Sequence, residues 1–160
     1  MATRLKSGLE GVSLDAWRGF LLSHAAITRQ LDADLIARHS LTSRDYEALL
    51  FLANEPDRNL PMSELAERTM LTRSGVTRLV DGLTRIGLVE RVACPRDARV
   101  SYAQLTDTGY QRLREATRTH VEGIRMIFLR HFSEEEVAEL AELLGRLPGV
   151  DGDAPACPVE

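Results

Sequence analysis

Within one seven-residue run, Thr72, Arg73, Ser74, Thr77 and Arg78 present three hydroxyls and two guanidiniums. These groups bond to phosphate oxygens, and an arginine fork can take two acceptors on a base edge at once. Arg96, Asp97 and Arg99 form a second polar cluster further on. This chemistry is that of binding, not of bond making. The chain has no glycine-rich phosphate loop and no serine in a nucleophile-elbow setting. Its densest carboxylate run, Glu134-Glu135-Glu136, suits the start of a helix. No enzyme is expected, and no cofactor.

The formal net charge of −4 argues against a nucleic-acid partner until its distribution is considered. Seven arginines lie between Arg68 and Arg99 against Asp81, Glu90 and Asp97, a local excess of +4. From Ser133 onward eight acids oppose Arg146, a local −7. A basic middle and an acidic end cancel in the total, and a local basic patch suffices to steer a protein to phosphates. On charge alone Arg73, Arg78, Arg96 and Arg99 read either as an ordinary solvated surface or as phosphate contacts, and the motif around them favours DNA contact. Arg68, Arg85 and Arg91 read equally well as ion pairs, with Glu64, Asp81 and Glu90 as the acids.

These groups need a scaffold. Residues 63–69, a turn at Met70-Leu71 and a helix from Thr72 read as a helix-turn-helix. Leu65 and small Ala66 face inward, Val76, Leu79, Val80 and Leu83 hold the second helix from behind, and its first turn is left outward. A short helix over 62–69 begins after Pro61. Four helix starts share one pattern, an apolar residue, a hydroxyl residue, then an apolar residue four places on. They are Leu41-Thr42 with Tyr46, Leu71-Thr72 with Val76, Leu105-Thr106 with Tyr110, and Phe132-Ser133 with Val137. Each predicts an N-cap with a hydrophobic staple, and Asp45 and Glu136 complete capping boxes. Gly87 predicts a left-handed stop after Ile86, with Leu88 folding back on Leu83. Strand candidates over 88–93 and 100–105 make a hairpin. Long helices over 13–38 and 107–131 and a last helix over 134–147 flank this middle. Residues 148–160, rich in Pro, Gly and Asp, are expected to be disordered.

Leu65-Ala66-Glu67, Arg78-Leu79-Val80-Asp81-Gly82-Leu83, Gly87-Leu88-Val89-Glu90-Arg91, Asp97-Ala98-Arg99 and Leu105-Thr106-Asp107-Thr108-Gly109 follow one another in register. Together they resemble the DNA-binding core of the MarR family of winged helix-turn-helix transcriptional regulators. The resemblance implies a mainly α fold with a small β-hairpin wing. It implies a winged helix-turn-helix over 41–106 and dimerisation helices over 13–40 and 107–147, all in one domain. A recognition helix over 72–86 would enter the major groove of double-stranded DNA. A wing over 94–99 would reach the minor groove through Arg99, with Asp97 its functional partner. Relatives often carry arginine where this chain has Ala98, which shifts weight to Arg96. The family's mode of action implies a homodimeric repressor, released from a palindromic operator by a small effector.

Trp17, Phe20, His24 and Tyr46 are expected where the first helix meets the DNA-binding lobe, a junction that in similar proteins holds an aromatic effector. Each reads also as core. His24, His39, His120 and His131 include no pair four residues apart on one helix, so no metal site is expected. Cys94, beside Pro95 and Arg96, is a candidate redox thiol, the alternative mode of control. A winged-helix module that binds protein instead of DNA is a second alternative. Leu14, Leu21, Leu35, Leu140, Leu143, Leu144 and Leu147 are expected to supply dimer surface. No apolar run is long enough to span a membrane and the start is polar, so a cytoplasmic location is expected.

Overall fold

The computed structural model describes residues 8–93 and 100–148. The elements run α1 (Gly11–His39), α2 (Ser43–Ala53), β1 (Asn59–Pro61), α3 (Met62–Arg68), α4 (Arg73–Arg85), β2 (Val89–Ala93), β3 (Ser101–Leu105), α5 (Asp107–Ile127), a 3-10 turn (Leu129–His131) and α6 (Glu134–Leu144). The mainly helical winged-helix expectation is met. The expected disordered tail over 148–160 and the wing over 94–99 lie outside the described residues, save Pro148.

The four hydroxyl caps are all in place. Thr42, Thr72, Thr106 and Ser133 each accept from the backbone N–H three residues on, and Asp45 and Glu136 return the bond to close capping boxes. Each cap contributes about 1 kcal/mol. The stop after α4 is a Schellman motif. Gly87 has φ 73°, its N–H bonds the Thr84 carbonyl at 3.0 Å, and Leu88 N–H bonds the Leu83 carbonyl at 3.0 Å.

β2 and β3 pair antiparallel with Val89 opposite Leu105 and Ala93 opposite Ser101. β1, which no pattern in the sequence announces, pairs with the other edge of β3, placing Leu60 opposite Ala103. Three residues ending in a proline carry too little alternation to be read, and β1 exists because β3 is there to pair with it.

One core joins α2, α3, α4, the sheet and the first half of α5. Only the end of α1 enters it, through Leu35, while Leu31 is buried one turn earlier against α5. Leu35 is fully buried within this lobe, so the expectation that it forms dimer surface is corrected. Upstream of Leu31, α1 buries no side chain, and its apolar residues are spread round the helix. α6 buries none either. α1 and α5 cross at Gly123, where an added Cβ would come within 2.7 Å of Leu31 Cδ2.

Two helix ends fall short of expectation. α5 stops at Ile127, because Phe128 adopts φ −125° and ψ −67° and sets its ring edge-on to Phe132, with centroids 5.4 Å apart. α6 ends at Leu144, where Gly145 follows and favours termination.

Candidate nucleic-acid interface

α3 and α4 form the helix-turn-helix. Leu65 and Ala66 are buried on one side and Val76, Val80 and Leu83 on the other. The turn is closed by Leu71 N–H on the Ala66 carbonyl at 2.9 Å and by Thr69, whose buried hydroxyl donates to the Leu65 carbonyl at 2.6 Å. Met70 carries the sharp bend at φ 52°, an uncommon conformation for a residue with a Cβ, and its side chain stands 83% exposed. From α2, Arg44 clips the same turn by donating to the Thr69 carbonyl at 3.3 Å.

The exposed side of α4 carries Arg73, Ser74, Thr77 and Arg78. Neither Arg73 nor Arg78 pairs with an acid among the described residues, so both charges are available to an outside anion. Thr72 has a prior duty, since its hydroxyl oxygen accepts from Gly75 N–H at 3.1 Å and lies 3.2 Å from Ser74 Oγ. The uncapped N–H groups of this first turn add positive potential there.

The three ambiguous arginines separate. Arg68 lies between Glu55 and Glu64, with nitrogen–oxygen distances of 2.7 and 2.5 Å, and the Glu64 bond, followed by Glu55, raises its pKa. It is a structural clasp. Arg91 donates to Asp81 at 2.7 Å and to the Thr77 carbonyl at 3.3 Å. Arg85 has no partner among the described residues and stands seven residues, two turns, from Arg78 on the same outer face. The spacing could have singled it out, but Asp81 within reach masked it. Arg96, Asp97, Arg99 and Cys94 lie outside the described residues.

Of the four residues expected at the effector junction, Trp17, Phe20 and His24 lie together along α1 and Tyr46 lies apart. Trp17 is 51% exposed, with its ring 6.2 Å from Phe20, and Phe20 stacks on His24 at 6.4 Å. Phe20 and His24 line an apolar groove of about 570 Å³ between α1, the end of α5 and α6, together with Ile27, Ile124, Phe128 and Phe132. Trp17 and Tyr46 do not line it. Tyr46 is 5% exposed in the core, its ring 4.8 Å from that of His120 and its hydroxyl 3.3 Å from Thr117 Oγ. The polar tip that suggested a ligand contact reaches α5. Among the described residues no group of three potential metal ligands occurs, and no helix is long and apolar enough to cross a membrane.

Residues 39–100 match the model of the MarR family. The chain is 31% identical to AbsC of Streptomyces coelicolor, whose structure is that of a MarR family transcriptional regulator, with a TM-score of 0.78 over 87% of this chain and 93% of that one. Sco3205 of the same organism, a MarR family regulator solved in complex with DNA, is 29% identical with a TM-score of 0.78, covering 96% and 98% of the two chains. The repressor YetL of Bacillus subtilis is 32% identical over 69% of this chain, a match spanning 66% of its own length.

Proposed function

The chain belongs to the MarR family of transcriptional regulators, and from that premise we propose that it is a DNA-binding repressor acting as a homodimer. The observation that carries this reading is α4 itself. It is capped, packed from behind, and presents Arg73 and Arg78 without acid partners among the described residues. The likeness to a regulator solved on DNA supports duplex DNA as the partner, and the likeness to YetL supports repression. In this reading Thr72, Arg73, Ser74, Thr77 and Arg78 contact the major groove, and Arg96, Asp97 and Arg99 serve the wing. Segments 13–40 and 107–147 hold the dimer, and 41–106 carries the winged helix-turn-helix. Two recognition helices then read half-sites about 10 bp apart in a two-fold symmetric operator. Chromosomal DNA as ligand places the protein in the cytoplasm.

Sequencing the genomic fragments retained by purified protein, followed by titration of a recovered duplex, tests this. Arg73→Ala should cost about 1–3 kcal/mol of specific binding and leave random duplex less affected. A protein that enriches no fragment would leave the protein-binding module as the better account.

A small, aromatic effector is the second part of the reading, with the groove at Phe20 and His24 as its place and Trp17 beside it. To loosen DNA tenfold it must favour the unfit spacing of the recognition helices by about 1.4 kcal/mol. Trp17, the single tryptophan, should then report binding by a saturable fluorescence change. Active compounds that leave it unchanged, and act equally on Phe20→Ala, would place the site elsewhere, with oxidation of Cys94 the alternative trigger.

A further inference from the structure

Among the described residues, strand β2 reaches α4 through one polar side chain, that of Arg91. Val89 and Arg91 lie two residues apart on the same face of β2, while Glu90 lies on the other. Val89 is buried in the core, and Arg91 carries that face outward along the flank of α4. There its Nη2 donates to Asp81 Oδ1 at 2.7 Å and to the Thr77 carbonyl at 3.3 Å. Thr77 and Asp81 are successive turns of the helix that also presents Ser74 and Arg78. β2 is an edge strand, bonded in the sheet only to β3, so this clasp is its polar tie to the helix among the described residues.

Asp81 is otherwise a puzzling residue in its place. A carboxylate on the outer half of α4 repels phosphate, and an interface selected only for charge would have no use for it. An arginine bonded to a carboxylate is, equally, a poor free cation. We infer that Asp81 and Arg91 are positioning residues, which set the angle of β2 against α4 and touch no base. This role rests on DNA binding through α4. Held together, the two elements meet the duplex as one body. Released, they meet the phosphates in no common register.

The two possible roles predict opposite signs for one substitution. Asp81→Asn removes a negative charge from the DNA side, so if Asp81 were a mere surface charge, all duplex would bind more tightly. As a positioning residue its loss should weaken the recovered specific duplex about tenfold, the size of an ordinary coupling between contacting residues, while random duplex binds as well or better. Arg91→Ala should reproduce the loss, with little added in the Asp81→Asn, Arg91→Ala double variant, and its salt slope should stay that of the parent. A direct phosphate contact would instead lower the slope by about one and weaken all duplex alike. Thermal melts of each variant, with the titrations run well below the transition, keep unfolding from imitating the effect. Tighter specific binding by Asp81→Asn, or additive losses in the double variant, would overturn the inference. A parent protein with no preference among duplexes would overturn the DNA reading instead.

Discussion

At the scale of single residues, two histidines sit where protonation is disfavoured. His120 packs at a tilt against the Tyr46 ring, with Nδ1 buried and lacking a hydrogen-bond partner among the described residues, and burial lowers its pKa. His39 bonds Thr119 Oγ1 at 2.8 Å, and its pKa too is lowered, by burial first, with Glu115 opposing and Arg112 and Arg38 assisting. A histidine with a lowered folded pKa holds fewer protons than in the unfolded chain. Its stabilising effect is therefore present at higher pH and is lost as pH falls through the ordinary value near 6.5 toward the folded ones. The urea midpoint should be higher near pH 7.5 than near pH 5.5, and His120→Gln should reduce that difference. An equal difference in parent and variant would remove His120 from the account. Nothing in the sequence marked His120 for this role, since its environment is supplied by Tyr46 from a helix more than seventy residues earlier.

At the scale of elements, the stop of α4, the end of β3 and the start of α5 meet in one place. Thr106 caps α5 by accepting from Gly109 N–H at 2.9 Å, and its hydroxyl lies 2.8 Å from the Gly87 carbonyl and 3.1 Å from that of Leu88. The Leu88 carbonyl also takes Thr106 N–H at 3.1 Å. A Cβ on Gly109 would stand 2.0 Å from that same carbonyl oxygen and 2.8 Å from Leu105 Cδ1. The oxygen is backbone and already engaged, so it cannot move aside freely. Gly109→Ala should cost about 1–3 kcal/mol in urea unfolding, as overpacking in a tight site does. A loss within experimental error would mean that this corner is looser than described. The caps and the Gly87 stop were all legible in the sequence. The reason Gly109 must be glycine was not, because the oxygen it avoids belongs to another element.

At the scale of the whole molecule, the winged lobe has its own core and the rest does not. Trp17, Leu21, Leu22, Leu143 and Leu147 stand exposed on α1 and beyond α5, and the groove between them is apolar. A single copy leaves this surface in water at an appreciable hydrophobic cost. Light scattering at micromolar concentration should give twice the chain mass, and Leu21→Glu with Leu143→Glu should shift it toward the monomer and weaken binding to a two-half-site duplex far more than to a single half-site. A parent protein that stays monomeric while binding the two-fold site with full affinity would refute the arrangement.

The amino-acid sequence by itself determined where most elements begin and stop, the helix-turn-helix and its outward polar face. Those are matters of a few neighbouring residues: a hydroxyl and the N–H three places on, a glycine in a left-handed turn, an apolar stripe of fixed period. The tertiary structure alone decided the rest. It created β1 opposite β3, drew Tyr46 inward to Thr117 and His120, buried Leu35 in the lobe, and gave Arg91 to Asp81 while leaving Arg85 without a partner among the described residues. Each of these depends on which distant surface arrives beside a residue, and neither periodicity nor residue type carries that information.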